Sequence, residues 1–229
     1  MLCAKTEIRK HEKVTGWQRI KMVKIKLCGM SRMEDIAAVN EIHPDFCGFV
    51  IEVPKSRRNV SAAKAEQLSA ALAPGIVPVG VFVNAPVDLA ADLLNRGVIG
   101  AAQLHGQEDE AYISSLRKRI KAKAQLIQAF SIRTKEDVLR AAKSSADLIL
   151  LDQGSGGSGR TFDWSLAGTV ERPFFLAGGL GSGNLAEAIR RVKPWAVDLS
   201  SALETDGYKD PQKMREAVQI VRTTAGEPG

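Results

Sequence analysis

The 229 residues, 45% of them apolar, can bury one sizeable core, and with only seven Phe, three Trp and two Tyr that core must be mainly Val, Ile, Leu and Ala. This balance excludes collagen-like and disordered chains, and Cys3, Cys28 and Cys47 are too few for a disulfide scaffold and fit a reducing, cytosolic setting. The net charge of +6 is mostly a property of the first 21 residues, where Lys5, Arg9, Lys10, Lys13, Arg19 and Lys21 face only Glu7 and Glu12, so it is weak evidence for a nucleic-acid binder.

That leader, 1–21, is polar and aperiodic, and it has no apolar segment of the kind a signal peptide carries. It reads as a dispensable extension before Met22, with a basic arm for an acidic partner as the alternative. The longest stretch without charge, Gln67–Val87, is interrupted by Pro74, Gly75, Pro78, Gly80, Asn84 and Pro86. It reads as helix end, loop and strand, not as a membrane span. His11, His43 and His105 lie far apart, and no Cys or His cluster has metal-ligand spacing.

From Met22 onward short apolar runs alternate with segments of helical period. The runs are Val23–Cys28, Phe46–Ile51, Val77–Val83, Ala101–His105, Leu126–Phe130, Leu148–Asp152, Phe174–Ala177 and Ala196–Ser200. Leu148–Leu151 is apolar without alternation, as a parallel strand covered on both faces requires. Between the runs, Leu185, Ala188, Ile189 and Val192 follow i, i+3, i+4, i+7, as do Met214, Ala217, Val218 and Val221. Start signals agree: Ser31 with Glu34, Thr134 with Asp137, and Asp210 before Pro211. Eight strand–helix units predict one closed (β/α)8 barrel over residues 22–229. A doubly wound open sheet is the alternative, but its Gly-rich turn after the first strand is reduced here to Cys28–Gly29–Met30.

A barrel of this kind places its chemistry at the carboxyl ends of its strands. Those ends carry Cys28–Gly29, Gln103–Leu104–His105–Gly106, Asp152 followed by a glycine- and serine-rich loop, Gly178–Gly179 and Ser200–Ser201. Glycine admits backbone N–H groups to phosphate oxygens, so the ends of strands 7 and 8 together predict a phosphate site. Gly178–Gly179 also fits a mere tight turn. Cys28 is a thiol at a strand mouth, and Asp152 closes an aliphatic strand where apolar walls favour a retained proton. Each also has a bland reading: a buried hydrophobe for Cys28, a loop brace for Asp152. Cys47, inside its strand, is assigned to the bland reading. Taken together, a thiol and a carboxyl across one mouth suggest an acid–base pair.

The ordered set Lys26–Leu27–Cys28–Gly29–Met30, Gly48–Phe49–Val50, Ser56–Arg57–Arg58, Val79–Asn84, Gln103–Leu104–His105–Gly106, Asp152 with Gly156–Gly159 and Phe162–Trp164, Ala177–Leu180, and Val197–Ser201 with Glu204, Gly207, Lys209 and Asp210 resembles the phosphoribosylanthranilate isomerase family from about Val23 to about Val221. The resemblance implies a (β/α)8 barrel that performs an Amadori rearrangement of tryptophan biosynthesis without cofactor or metal. It further implies Cys28 as general base, Asp152 as general acid, and Arg58 at the anthranilate end. Gln103, His105, Gly157, Gly159, Gly178, Gly179, Ser200 and Ser201 complete the implied substrate-binding set. The implied partner is a small phosphorylated substrate, with no nucleic acid and no membrane, for a cytoplasmic monomer or homodimer. Three departures stand out. Ala202 replaces the usual Gly after the paired serines, a mild change at negative φ and a costly one at positive φ. Ser182 replaces a frequent Pro. Gln128 replaces the usual Lys at the end of strand 5, which leaves that strand out of the expected site.

Two other readings compete. A dual-substrate sugar isomerase of the histidine and tryptophan pathways is an enzyme alternative, but such enzymes carry an acidic residue where Cys28 stands. A non-catalytic protein using its basic leader predicts steeply salt-dependent binding lost on deleting 1–21.

Overall fold

The computed structural model describes residues 23–121, 123–152 and 164–224. Every apolar run named above becomes a strand, with ends within one residue of those expected. They are β1 (Lys24–Cys28), β2 (Phe46–Ile51), β3 (Val77–Phe82), β4 (Ala101–Leu104), β5 (Gln125–Ser131), β6 (Leu148–Asp152), β7 (Phe174–Leu176) and β8 (Ala196–Leu199). Each pairs in parallel with the next, and β8 pairs back onto β1, so the sheet closes on itself. A helix follows each strand: α1 (Met33–Ile42), α2 (Ala62–Ala70), α3 (Val87–Asn95), α4 (Glu110–Arg119), α5 (Lys135–Ala142), α6 (Trp164–Ala167), α7 (Leu185–Val192) and α8 (Pro211–Thr224). This is the (β/α)8 barrel.

Alternation along each strand sorts side chains into two layers. Ile25, Leu27, Val197 and Leu199 point outward and pack with the apolar faces of the helices, including Leu185, Ala188, Ile189 and Val192 of α7 and Met214, Ala217, Val218 and Val221 of α8. Phe46, Val79, Ala101, Ile127, Leu148, Leu150, Phe175, Ala177 and Ala196 point inward and fill the barrel. Near the amino ends of the strands Phe175 packs edge to face on both Phe46 and Trp195, and the latter two meet at a tilt, with centroids 5.3–5.9 Å apart. Lys24 Nζ stands 4.7 Å from the Trp195 ring, closing that end.

The helix starts follow the sequence signals with one shift. At α5, Thr134 accepts from Asp137 N, and Asp137 accepts from Thr134 N, as expected. Asp210 accepts from Gln212 N and Lys213 N at the start of α8. At α1 the expected Ser31–Glu34 pair is wrong by one residue. Asp35 Oδ2 instead accepts from both Ser31 N and Arg32 N, and the Arg32 guanidinium donates to Asp35 Oδ1, so the helix begins after Arg32. The uncharged stretch divides into the end of α2, a loop and β3, and among the described residues no helix is long and apolar enough to cross a membrane.

Two short pieces dress the carboxyl-end rim. Asn59–Val60 pairs in parallel with the end of β2 just after Arg58. After β8, Glu204–Thr205 and Tyr208–Lys209 form an antiparallel hairpin. Its two-residue turn, Asp206–Gly207, has φ of 52° and 83°, the left-handed pair that a type I′ turn needs and that Asp-Gly supplies.

Candidate active site

Parity on β1 sends Lys26 and Cys28 into the barrel on the same face. The register of β1 with β8 sets Lys26 beside Asp198, and its register with β2 sets Cys28 beside Gly48. Lys26 is fully buried, with Nζ 3.0 Å from both carboxylate oxygens of Asp198. The charge of the same ammonium also acts on the Cys28 sulfur, which is two residues along the same inward face. Gly48 makes the space: a Cβ there would lie 2.8 Å from Cys28 Sγ and 3.1 Å from Lys26 Cε.

Burial is the largest influence on this buried group. It pushes the Cys28 thiol up, while the charges of Lys26 and Lys209 pull it down and Asp198 adds to the rise. Burial by itself lowers Lys26, but Asp198 and the Cys28 sulfur more than reverse that, so the ammonium stays charged. Asp198 is pushed up by burial against the pull of Lys26, and it also feels His105 and Asp152. Cys47, on the outward face, is pushed up by burial in the outer core, as its bland reading requires.

Asp152 ends β6 partly exposed, with Oδ2 3.5 Å from His105 Nε2. His105 Nδ1 lies 2.8 Å from Gln103 Nε2. If that amide donates, Nδ1 is the acceptor and Nε2 carries the proton toward Asp152. Gln103 is buried beneath the histidine, and it supports His105 from below. A cavity of about 790 Å³ opens on this side of the rim, lined by His105, Glu108, Gln128, Phe130, Arg140, Lys143 and Asp152 among others. β5, which the sequence leaves out of the expected site, forms part of the wall of this cavity. Gln128 bridges the two flanks of this wall: its Nε2 donates to Glu108 O and its Oε1 accepts from Ser144 Oγ.

Arg58 lies on the opposite flank. Its Nε and Nη2 donate to Glu204 Oε1 and Oε2 at 2.6 and 3.0 Å. Gly29, at φ 84°, makes room for its stem, since a Cβ there would meet Arg58 Cδ at 2.4 Å. Gly178 and Gly179 take φ of 84° and 65° after β7, a conformation only glycine holds without strain. Ser200 Oγ donates to Cys28 O at 3.1 Å, and Lys209 Nζ donates to Ser200 O at 2.9 Å. Ser201 opens a short 3₁₀ turn, Ser201–Leu203. Ala202 lies within it and is absent from the residues with positive φ, so the replacement of glycine is mild. Gly157 and Gly159 lie outside the described residues.

The structure thus gathers Cys28, Gln103, His105, Asp152, Arg58, Gly178, Gly179, Ser200 and Ser201 at one end of the barrel. Sequence reasoning gave no role to Lys26, Asp198, Glu204 or Lys209. The first two were detectable by parity, because charged residues sit two positions before Cys28 and Ser200 on inward faces. The latter two face each other across an Asp-Gly hairpin.

Fold and rim place the chain in the class of (β/α)8-barrel enzymes, with its polar residues gathered at the carboxyl ends of the strands. A family model described as N-(5'phosphoribosyl)anthranilate (PRA) isomerase matches residues 25–220. The N-(5'-phosphoribosyl)anthranilate isomerase of Endomicrobium trichonymphae is 43% identical over 206 residues, covering 88% of this chain and 100% of the relative. The crystal structure of phosphoribosyl anthranilate isomerase from Thermotoga maritima superposes with a TM-score of 0.79 at 34% identity, covering 88% of this chain and 100% of that one. A phosphoribosyl anthranilate isomerase crystallised with reduced 1-(o-carboxyphenylamino)-1-deoxyribulose 5-phosphate gives 0.77 at 33% identity, with coverage of 88% and 100%. The chain belongs to the N-(5'-phosphoribosyl)anthranilate isomerase family.

Proposed function

We propose that the protein converts N-(5-phosphoribosyl)anthranilate to 1-(o-carboxyphenylamino)-1-deoxyribulose 5-phosphate, an aldose–ketose isomerisation of tryptophan biosynthesis, with Cys28 as base and Asp152 as acid. Asp152 delivers a proton to the ribosyl ring oxygen as the bond from that oxygen to carbon 1 breaks. The aryl nitrogen supplies the electron pair for a C=N bond. Cys28, as thiolate, takes the proton from carbon 2. The electrons of that C–H bond form the enolamine, which tautomerises to the ketone. Lys26 supplies the countercharge for the thiolate, and Asp198 holds Lys26 in place. Arg58 takes the anthranilate carboxylate, for which a planar fork is suited. The Gly178–Gly179 turn and the Ser200–Ser201 segment take the phosphate, with Gly157 and Gly159 assigned the same role. Gln103 and His105 line the substrate on the side of Asp152.

The observation that carries this reading is the fully buried ammonium of Lys26, held by Asp198 beside Cys28 on the same inward face, above a layer filled by Phe46, Val79, Ala101, Ile127, Leu148 and Phe175. A merely structural cysteine has no use for a charged neighbour. The leader 1–21 is proposed to be dispensable, and the setting cytoplasmic. A Thermotoga maritima relative is dimeric, and this chain is proposed to be a monomer or homodimer. The test is to supply phosphoribosylanthranilate and follow the loss of its fluorescence. Turnover is expected with the unaltered protein. Cys28→Ser is expected to reduce it about 10²–10⁴-fold with folding preserved. Retention of more than about a tenth of the turnover would mean that the thiol is a packing residue.

A further inference from the structure

Glu204 has an unusual set of neighbours. Its side chain is 5% exposed and contacts three cations: Arg57, Arg58 and Lys209. Three positive charges against one carboxylate leave a surplus of two. Lys209 is itself buried, with its side chain 3% exposed, and it holds Glu204 Oε1 at 2.9 Å directly across the Asp-Gly hairpin. Lys209 also holds Ser200 O, and Ser200 holds Cys28 O. Glu204 is thus anchored from below by a rigid turn and a buried ammonium. Arg58 is bonded to it through Nε and Nη2, and no bond is made by Nη1 among the described residues.

We infer that Glu204, anchored by Lys209, is the positioning residue that clamps one edge of the Arg58 guanidinium so that the other edge is presented to the carboxylate of the substrate. The inference rests on the assignment of Arg58 to that carboxylate. A long arginine free to sample its rotamers loses that entropy when substrate binds, and a pre-set fork does not. A bidentate pair on the Nε–Nη2 edge also leaves the Nη1–Nη2 edge, the other geometry in which a guanidinium meets a carboxylate in parallel. The opposite role for Glu204 is a placeholder that substrate must displace. The two roles predict opposite changes in affinity.

The experiment compares the unaltered protein with Glu204→Gln, Glu204→Asp, Arg58→Ala and the Arg58→Ala/Glu204→Gln double variant. Each is assayed for kcat and KM with phosphoribosylanthranilate, and for inhibition by ribulose 5-phosphate, which has the phosphate but no carboxylate. Glu204→Gln is expected to raise KM about tenfold or more, the effect of losing a charge-assisted hydrogen bond, with kcat changed less than about threefold. Ribulose 5-phosphate inhibition is expected to stay within about twofold. The double variant should be no worse than Arg58→Ala by more than about twofold, because Glu204 acts only through Arg58. If Glu204→Gln does not fold, Glu204→Asp keeps the charge, retracts it by one methylene, and is expected to show the same selective rise. A fall in KM would make Glu204 a placeholder. An unchanged KM, equal loss of ribulose 5-phosphate affinity, or additive effects in the double variant would each overturn the inference. If Arg58→Ala itself moves KM and inhibition together, the Arg58 assignment fails and the inference with it. Selective Arg58→Ala with neutral Glu204→Gln overturns the inference alone.

Discussion

Gly48→Ala adds one methyl group where the barrel has no room for it. The new Cβ would stand 2.8 Å from Cys28 Sγ, 3.1 Å from Cys28 Cα and 3.1 Å from Lys26 Cε. Ordinary non-bonded contacts run at about 3.5–4.0 Å, so sulfur and methyl must part by on the order of 1 Å. Gly48 lies in β2 without a left-handed φ, so alanine meets no backbone strain and the whole effect comes from this contact. Overpacking of this sort costs about 1–3 kcal/mol, which lowers Tm by roughly 2–12 °C in a domain of this size. Misplacing a reacting group by about 1 Å costs roughly 10²-fold in turnover. The assays are a thermal melt and the fluorescence decay of phosphoribosylanthranilate. A lowered Tm with kcat within about threefold of the unaltered protein would refute the claim that the Cys28 sulfur is the base. An unchanged Tm would refute the packing argument itself.

Asp152→Asn removes the proton donor for ring opening and should lower kcat about 10²–10⁴-fold with an unchanged melt; a loss of less than about fivefold would transfer the acid role elsewhere. Burial works against the Glu204 carboxyl, but hydrogen bonds from Arg58 and Lys209 hold its pKa below the ordinary value. Its stabilising contribution is therefore complete above the unfolded pKa of about 4.3 and is lost as pH falls through the lower folded value. Tm should fall on acidification below about pH 5, and the slope should be shallower in Glu204→Gln, though not flat, because Asp137 is also held low by backbone N–H groups at its helix start and Asp210 by the Thr205 hydroxyl and then by its helix start. A protein starting at Met22 should match the full chain in kcat and Tm, and loss of either would assign the leader a role.

The barrel was legible because its signals are local and repeated. Leu148–Leu151 needed cover on both faces, and the stripes on α7 and α8 needed a sheet to cover. Cys28 and Asp152 were legible as candidates because both close apolar strands at the end of the barrel where such folds carry their chemistry. Lys26 was harder to see, since a lysine in a strand ordinarily points to water. Only closure of the sheet turns its face inward, and only the register of β1 with β8 puts Asp198 beside it. Gln128 was hard to place for the converse reason. Loss of the cation hid the fact that the same position still lines the cavity. The shift at α1 has a simpler cause: Asp35 reaches back to two backbone N–H groups and a guanidinium, which outweighs a lone serine hydroxyl.

The aromatic cluster of Phe46, Phe175 and Trp195, with Lys24 over it, has a consequence for traffic. It stops the barrel at its amino end, so the reacting groups sit above a dry floor and not in a channel. On the proposed function, product must vacate the mouth before the next substrate arrives, and the two compete for the same rim residues. Inhibition by accumulated product should accordingly be competitive with substrate, and upstream supply and downstream removal together set how often the mouth is free.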